Sequence, residues 1–228
     1  MSAAFFITGT DTDVGKTYIS TLLVKGFRER GCRVSGFKPV AAGAKFLDGE
    51  FKNEDALELM QEASVNFPYR IVNPYCFEQA IAPHIAAEQE GVEVEMPCIQ
   101  AAYAKHVEQS ELVIIEGAGG WMVPLNKVMG FDDLALAVGA PVILVVSLKL
   151  GCINHALLTE SAILHKGCRL VGWIANEQKS GFKERDENLE ALQQRMKSAY
   201  LGLVDHQAAS SFSQRNIESL LDYLVDFR

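Results

Sequence analysis

The nine residues from Gly9 to Thr17 constrain this chain more than any other feature. They read Gly-Thr-Asp-Thr-Asp-Val-Gly-Lys-Thr, which we interpret as a P-loop. The apolar residues 3–8 that lead into them are typical of a buried strand, and residues 18–30 after them are compatible with a helix. In that order, backbone N–H groups of the loop and of the helix N-terminus form a concave anion site. The sequence therefore predicts a strand, a phosphate-binding loop and a helix in succession.

Two side chains at the end of the loop indicate what it binds. Lys16 supplies a mobile positive charge for the outer phosphates of a nucleotide, and Thr17 offers a hydroxyl oxygen to Mg²⁺. A chance match in a glycine-bearing turn is the alternative, and the flanking strand and helix argue against it. We therefore expect a nucleotide and a magnesium ion at this loop.

Strand-like and helix-like segments alternate along most of the chain. Strands are predicted at residues 3–8 and 33–40. Nearly continuous apolar runs, typical of strands buried on both faces, follow at residues 112–116, 141–147 and 170–176. Amphipathic helix patterns occur at residues 55–63, 96–108, 131–138, 154–165, 184–196 and 217–224. This alternation predicts one α/β domain over residues 1–228, with a doubly wound, mostly parallel sheet and helices on both faces, of the P-loop nucleotide-binding type.

Two segments lack a clear period. Residues 64–95 contain Pro68, Pro74 and Pro83, and we expect extended loops there. Residues 205–216 are polar and rich in Ser and Gln, which is typical of a connection to the last helix.

The composition narrows the class of partner. The chain carries a formal net charge of −8 and has a pI near 5.2, which argues against nucleic acid or an anionic membrane as a partner.

The longest strongly apolar stretch, residues 141–147, is too short to span a bilayer. The N-terminus lacks the basic segment of a signal peptide. Scattered cysteines without C-x-x-C spacing fit reduced thiols, so we expect a cytoplasmic protein.

Polar or glycine-rich residues follow every predicted strand. Ligands of open α/β sheets bind at the carboxyl ends of the strands, so these residues are expected to share one edge of the sheet. They comprise the P-loop, Lys38 with the turn after it, Glu116 with a run of glycines, the turn at residues 149–154, and Asn176.

Three of the charged residues are candidates for the chemistry. Glu116 ends an apolar strand, where an acidic residue commonly serves a metal ion, although it could instead cap the glycine turn after it. Lys38 could neutralise charge during phosphoryl transfer, could hold a carbamate or carboxylate, or could be a solvated strand-end lysine. Asp55 could be a second magnesium ligand or could stabilise a helix N-terminus, a role that Glu54 would fill equally well.

The turn made of Gly151, Cys152, Ile153 and Asn154 precedes a predicted helix. A helix N-terminus without a lysine suits a carboxylate better than a polyphosphate. An ordinary turn with Asn154 as the helix N-cap fits the sequence at least as well.

Taken together, these motifs resemble the dethiobiotin synthetase family over most of the chain, from residue 5 to about residue 176. The resemblance is carried by residues 8–17, 36–41, 73–75, 83–84, 113–121, 141–146, 148–156 and 172–176. The combination is more specific than the P-loop alone, because cobyrinate amidases and ParA-like ATPases have related loops.

The resemblance implies a reaction and a role for each motif. Family members are homodimers that convert 7,8-diaminononanoate, CO₂ and MgATP to dethiobiotin, ADP and phosphate, through a carbamate and a carbamic-phosphoric anhydride. The implied catalytic residues are Lys16, Lys38 and Thr12, and the implied magnesium ligands are Thr17, Asp55 and Glu116. The implied nucleotide contacts are Asp13, Val14, Gly15, Lys16, Thr17, Tyr18 and Asn176. The implied substrate contacts are Thr12 and Lys38, with Gly151, Cys152, Ile153 and Asn154 reaching the site of the other subunit.

The chain departs from the family pattern at some positions, and other functions remain open. Asp13 stands where glutamate is common, Ala42 where serine is usual, and Leu189 where some members have a tyrosine. One alternative is therefore a family member that binds ATP without turnover. A cobyrinate-type amidase would need a further glutaminase domain, for which we expect no room. A ParA-like switch ATPase would have a signature lysine early in the loop, where this chain is acidic.

Overall fold

The computed structural model describes residues 3–177, 182–205 and 214–225, and only the backbone of residues 214–218. Its strands are β1 (Ala3–Gly9), β2 (Val34–Phe37), β3 (Val40–Ala42), β4 (Lys45–Leu47), β5 (Glu50–Lys52), β6 (Tyr75–Phe77), β7 (Leu112–Glu116), β8 (Val142–Ser147), β9 (Leu170–Asn176) and β10 (Ala199–Val204). Its helices are α1 (Lys16–Glu29), α2 (Glu54–Glu62), α3 (Tyr69–Val72), α4 (Pro83–Gln89), α5 (Met96–Gln109), α6 (Phe131–Val138), α7 (Cys152–His165), α8 (Arg185–Arg195) and α9 (Gln214–Val225).

A parallel sheet in the order β10-β9-β8-β1-β7-β2 forms the centre of the described structure. Parallel neighbours need long crossover connections, and helices supply them here. β1 lies between β7 and β8, so the loop after β1 lies beside the residues that follow both of these strands. The prediction of a doubly wound α/β fold is confirmed.

Alternate residues of β1 enter two separate hydrophobic cores, because successive side chains of a strand point to opposite faces. Phe6 packs in one core with side chains of α5, α6 and α7. Phe5 and Ile7 pack in the other with side chains of α1 and α9 and with Leu59 of α2. Both faces are thus covered, which explains why the strands appear in the sequence as nearly continuous apolar runs.

Helix α2 lies very close to β2 at one point. A Cβ atom added to Gly36 would lie 2.6 Å from the Cβ atom of Leu59, closer than real Cβ atoms come. Because Gly36 has no side chain, the fully buried Leu59 packs directly against the strand backbone. The start of α2 is fixed by Asn53, whose side-chain oxygen accepts the N–H of Ala56 at 3.3 Å. This packing places the first turn of α2 near the end of β2.

The prediction of one strand over residues 33–40 is wrong. β2 ends at Phe37, and Val40 begins β3, which pairs with β6 in a separate two-stranded sheet. Pro39 has no N–H for a continuing ladder. The N–H of Lys38 donates instead to the carbonyl of Val72 at 2.9 Å. The chain therefore leaves the main sheet at Lys38.

The prediction of extended loops over residues 64–95 is also wrong, because α3, β6 and α4 form there. Pro83 begins α4, at a position where a helix needs no N–H. The strand β10 was not predicted; its pairing register with β9 shifts between Tyr200 and Gly202. Most of the predicted connection at residues 205–216 lies outside the described residues.

The helices fall close to their predicted positions. α6 matches residues 131–138, whereas α7 begins at Cys152 and so starts before the predicted residue 154. Across residues 3–177, 182–205 and 214–225, none of the helices has both the length and the apolar character needed to cross a bilayer.

Candidate active site

The loop between β1 and α1 has the backbone form of an anion site. α1 begins at Lys16, and Gly15 before it has a φ of 90°, a left-handed conformation that a side chain would strain. Asp13 also has a positive φ, 53°, which aspartate tolerates better than most residues. Five residues separate Gly9 from Gly15, one more than in the standard pattern, so Thr10 stands in place of its first glycine. The assignment of this loop as a P-loop therefore depends on its Gly-Lys-Thr ending and on its position between β1 and α1.

Lys16 folds back over the loop. Its Nζ donates to the carbonyl of Asp11 at 3.0 Å, and its side chain is buried. Burial, and then the positive charge of Lys38, lower the pKa of Lys16 to about 8. The two lysines repel each other beside a loop of N–H donors, and a bound anion would relieve that repulsion.

Four side chains from different elements meet beside this loop. Nζ of Lys38 lies 2.6 Å from Oε1 of Glu116 and 2.9 Å from Oδ2 of Asp55. It also donates to the carbonyl of Gly117 at 3.1 Å. The hydroxyl of Thr17 donates to the same Oε1 of Glu116 at 2.9 Å. The order of the strands thus brings together the three residues predicted to bind magnesium and the lysine predicted to act on phosphate.

The charges of this cluster stabilise one another. Burial disfavours the charge on Lys38, but the carboxylates of Glu116 and Asp55 outweigh burial and raise the pKa of Lys38. Burial also opposes the charge on Asp55, and the nearby Lys38 outweighs it and lowers the pKa of Asp55. The side chain of Lys38 is only 3% exposed, so the alternative of a solvated strand-end lysine is wrong. Asp55 and Glu54 are not equivalent, because Glu54 pairs with the exposed Lys45 instead.

The cluster also fits a magnesium ion. Oε2 of Glu116 is buried and has no hydrogen-bond partner among the residues that the structure describes. An unpaired buried carboxylate oxygen is unfavourable unless a ligand binds it. Mg²⁺ in nucleotide sites takes one or two carboxylates together with phosphate oxygens and water. Thr17, Asp55 and Glu116 supply such hard oxygen atoms. In the part of the chain that the structure describes, no three His, Cys, Asp or Glu side chains converge, so phosphate oxygens and water would complete the shell.

The turn predicted at residues 151–154 belongs to α7 itself. Gly151 is the N-cap, with a φ of 92°, and the helix begins at Cys152, so the alternative of Asn154 as N-cap is wrong. Cys152 is buried in the core and Ile153 is half-buried, whereas Asn154 is exposed. Leu150, just before the turn, is 92% exposed. The start of α7 is therefore an exposed element at the same sheet edge as the P-loop.

An ion pair that the sequence did not suggest joins this helix start to the P-loop. Nζ of Lys149 lies 3.0 Å from Oδ2 of Asp11. The other carboxylate oxygen of Asp11 accepts the N–H of Thr12 at 2.8 Å. The hydrogen bond from Lys149 lowers the pKa of Asp11. Both partners are half-exposed, so we assign this pair a small contribution to stability.

The remaining predicted site residues lie around the loop. Nδ2 of Asn176, at the end of β9, donates to the carbonyl of Val14 at 2.8 Å, and both residues are buried. Thr12 and Asp13 are exposed on the loop, and Tyr18 is partly exposed on the first turn of α1. Their predicted contacts with nucleotide or substrate stay predictions, as does the contact of Asn176 with adenine.

The positions that depart from the family pattern have ordinary structural surroundings. Ala42 ends β3, and its carbonyl accepts Nδ2 of Asn53 at 3.4 Å. Leu189 lies on α8 and packs against the larger core.

Fold and site together define a P-loop nucleotide-binding protein of the α/β class. The chain matches a protein family described as "AAA domain" over residues 3–214. It is 46% identical over 211 residues to the "ATP-dependent dethiobiotin synthetase BioD" of Aromatoleum aromaticum, covering 92% of this chain and 94% of that one. The protein of the same name from Xylella fastidiosa is 43% identical over 204 residues, covering 90% of each chain. The chain belongs to the ATP-dependent dethiobiotin synthetase family.

Solved structures agree on the fold. The cell division ATPase MinD of Pyrococcus furiosus superimposes with a TM-score of 0.64 at 14% identity, covering 100% of both chains. A ParA family ATPase of Chlorobium tepidum superimposes with a TM-score of 0.58 at 9% identity, covering 99% of both chains. At such low identity the likeness shows the fold alone.

Proposed function

We propose that this protein is a ligase that uses ATP to carboxylate 7,8-diaminononanoate and to close its ureido ring, which gives dethiobiotin. Its membership of the dethiobiotin synthetase family supports the overall reaction. The observation on the chain itself that carries the proposal is the buried ammonium group of Lys38. It lies between Glu116 and Asp55 and close enough to Lys16 to lower that residue's pKa.

The reaction forms three bonds in turn. One amine of the substrate adds to the carbon of CO₂, loses a proton and becomes a carbamate. An oxygen of the carbamate attacks the γ-phosphorus of ATP while the bond to the β-phosphate oxygen breaks, so that ADP leaves. The second amine then attacks the carbonyl carbon of the mixed anhydride. The bond from that carbon to the phosphate oxygen breaks, phosphate leaves, a proton is lost and the ring closes.

The two lysines stabilise charge during these steps. Phosphoryl transfer needs chiefly positioning and fixed positive charge around the transferred group. Lys16 and Lys38 supply that charge at the loop and at the neighbouring strand end. Lys38 is oriented by its two carboxylate partners and therefore needs little rearrangement when charge develops. Thr12, exposed on the loop, would contact the carbamate.

Nucleotide and metal would occupy the loop together. The backbone from Asp13 to Thr17 would hold the phosphates, with Lys16 on the outer ones, while Tyr18 and Asn176 line the nucleoside side. Thr17, Asp55 and Glu116 would hold Mg²⁺, and the orphaned Oε2 of Glu116 supports this assignment. Bound there, the ion would neutralise phosphate charge.

We also propose that the protein is a homodimer and that α7 of each subunit completes the site of the other. Gly151, Cys152, Ile153 and Asn154 would bind the substrate carboxylate through the helix N-terminus. Leu150 and Leu158 are 92% and 62% exposed on either side of Asn154, which suits a surface covered by a second copy. Residues 1–228 would act as one domain in the cytoplasm, where ATP is available.

The experiment that tests the function measures phosphate release from MgATP with and without 7,8-diaminononanoate and bicarbonate, with dethiobiotin followed by mass. We expect release only when both co-substrates are present, with one dethiobiotin per phosphate. Release that ignores the diamine would contradict the proposal and favour a switch ATPase. Tight ATP binding without release would indicate a family member that does not turn over.

Mixed dimers test the shared site. We expect Lys38→Met and Asn154→Ala to be inactive or weak alone, because each removes one half of every site. If the halves come from different subunits, an equal mixture after subunit exchange regains about one quarter of wild-type activity, because half the dimers then contain one intact site. A mixture no more active than the mean of the two variants would contradict a site shared between subunits.

A further inference from the structure

The motif of Asn73, Pro74 and Tyr75 has no role in the site described so far. The side chain of Asn73, however, bonds to the backbone of Lys38 in that site. Asn73 is 2% exposed, and its Nδ2 donates to the carbonyl of Lys38 at 2.6 Å and to that of Tyr75 at 3.0 Å. The first of these contacts fixes the backbone of the residue that leaves the main sheet. Asn73 thus holds the backbone of Lys38, while Glu116 and Asp55 hold its ammonium group.

A tyrosine continues this connection towards α2. The hydroxyl of Tyr69 donates to Oδ1 of Asn73 at 2.8 Å. The same hydroxyl accepts the backbone N–H of Asn53 at 2.7 Å. Asn53 is the N-cap of α2, so Tyr69 is bonded to the residue that fixes the start of the helix carrying Asp55.

The hydrogen bonds therefore form a closed ring through the candidate site. The ring runs from the Lys38 carbonyl to Asn73, Tyr69 and Asn53, along the first turn of α2 to Asp55, and back to Nζ of Lys38 at 2.9 Å. The donors and acceptors leave little choice of orientation, because two carbonyls can only accept from the Asn73 amide nitrogen. Its Oδ1 must then accept, and the Tyr69 hydroxyl must donate.

Burial makes this ring rigid. Tyr69 is 8% exposed and Asn53 is 6% exposed, so water cannot readily replace a lost partner. Burial also raises the pKa of Tyr69, which keeps the hydroxyl proton available for Asn73. The Tyr69 hydroxyl and the Asn73 amide are each engaged at both ends, and a change at either one removes the hydrogen-bonded link between the Lys38 backbone and the start of α2.

We propose that Tyr69 and Asn73 are positioning residues that set the separation of Lys38 and Asp55, and through them the alignment of the bound metal and γ-phosphate. This proposal rests on the proposed function. Neither residue touches the reacting atoms. They act by fixing the backbone of Lys38 and the N-terminus of α2 relative to each other.

The test compares Tyr69→Phe with Tyr75→Phe as a matched control. Tyr75 is also a buried tyrosine whose hydroxyl accepts one backbone N–H, that of Glu95 at 3.0 Å. Asn73 bonds to the backbone carbonyl of Tyr75, which Tyr75→Phe retains, and not to the hydroxyl that it removes. Each substitution removes one hydroxyl and leaves one backbone N–H without its partner. Tyr69→Phe also leaves Oδ1 of Asn73 without its donor, so we expect Tyr69→Phe to lose more stability than Tyr75→Phe. We expect Tyr69→Phe to lower kcat by about tenfold, since small misplacements of reacting groups are costly, and Tyr75→Phe to leave kcat unchanged.

Nucleotide binding supplies a readout that does not depend on turnover. We expect Tyr69→Phe to weaken the affinity for ATP in the presence of Mg²⁺ and to leave the affinity in EDTA unchanged, because the P-loop backbone is untouched. Equal losses with and without Mg²⁺, or equal losses of kcat in Tyr69→Phe and Tyr75→Phe, would overturn the positioning role. If wild-type protein makes no dethiobiotin, the proposed function fails, whereas this binding comparison still decides the role of Tyr69.

A second variant keeps the proposal testable if Tyr69→Phe folds poorly. Asn73→Ala breaks the ring at its contact with the Lys38 carbonyl. If both residues act through one ring, the double variant loses no more activity than the worse single variant. Multiplicative losses in the double variant would show that the two residues act separately.

Discussion

The ammonium group of Lys38 and the carboxylate of Glu116 form a buried ion pair of 2.6 Å across the ends of two neighbouring strands. β2 carries the chain to Lys38, β7 ends at Glu116, and the two strands pair in parallel. Because Oε1 of Glu116 also accepts the hydroxyl of Thr17, the pair is fixed to the first turn of α1. One carboxylate thus links the lysine to the phosphate-binding loop.

Replacing Lys38 with methionine should remove the fixed charge beside the transferred phosphate. We expect Lys38→Met to lower kcat by roughly 10²- to 10³-fold, the effect typical of losing one preorganised charge donor. The measurement is dethiobiotin formation at saturating MgATP. Lys45→Met is the control, because Lys45 is exposed and pairs with Glu54, which lies outside the charged cluster. A comparable loss in the control would contradict a specific role for Lys38.

Asp55 and Glu54 stand side by side on the first turn of α2, and only Asp55 reaches Lys38. We expect Asp55→Asn to raise the Mg²⁺ concentration for half-maximal activity by about 10- to 100-fold, as when a group that orients a metal site is lost. Glu54→Gln keeps the same helix position and should leave the magnesium requirement unchanged. If the two variants shift it equally, Asp55 acts only on the helix terminus.

The lowered pKa of Lys16, about 8, predicts a pH effect on nucleotide affinity. Below that pKa, Lys16 of the nucleotide-free protein carries its ammonium charge. When the pH rises above that pKa, Lys16 loses the charge before ATP binds. We expect the affinity for ATP to fall by about tenfold between pH 7.5 and pH 9.5, because one charge-assisted hydrogen bond to ATP is lost. Calorimetric titration would measure it.

Lys16→Arg is the control for this pH effect, since a guanidinium stays charged throughout the range. Its ATP affinity should be weaker at pH 7.5 than that of the wild type but nearly constant up to pH 9.5. A decline as steep as that of the wild type would assign the titration to another group.

His106 predicts how stability depends on pH. Its Nε2 faces the carbonyl of Ile71 at 3.2 Å and must donate, so its Nδ1 accepts from the hydroxyl of Ser35 at 2.9 Å. Burial lowers the pKa of His106 to about 4, from 6.5 in an exposed chain. Between these values the unfolded chain binds the proton and the folded protein does not. Stability should therefore fall as the pH drops from 6.5 to 4, by at most about 3 kcal/mol from this residue.

Urea unfolding at pH 7 and pH 5 measures that dependence. His106→Gln should be less stable than the wild type at pH 7. Its free energy of unfolding should, however, fall less between pH 7 and pH 5 than that of the wild type. His165→Gln, at the exposed last turn of α7, should retain the wild-type loss. If the free energy of unfolding of His106→Gln falls as much between pH 7 and pH 5 as that of the wild type, the pH dependence does not come from His106.

The central sheet and the charged cluster could be predicted from the sequence because they follow from local patterns. Apolar runs marked most of the strands, and the rule that ligands bind at carboxyl ends placed Lys38 and Glu116 at one edge. The break at Pro39 was missed although its cause is local, because apolar residues resume directly after it at residues 40–42. β10 was missed because Gly202 interrupts its pattern and its register.

The connecting hydrogen bonds could not be predicted in the same way. Tyr69 and Asn73 lie in a proline-containing segment without a period, and their partners Asn53 and Lys38 are 16 and 35 residues away. The pairing of Lys149 with Asp11 spans 138 residues. Such contacts depend on how close the folded elements approach, which periodicity does not encode.

The absent side chain at Gly36 has a consequence for how this site can be altered. Any larger residue there would push Leu59 and the whole of α2 away from the sheet, because a Cβ atom would already lie 2.6 Å from that of Leu59. Asp55 would move with the helix while Lys38 stayed with the strand. The geometry of the active site therefore depends on a purely apolar contact about one helical turn from the Asp55 carboxylate. A single methyl group added at Gly36 could lower the activity while every polar residue remained in place.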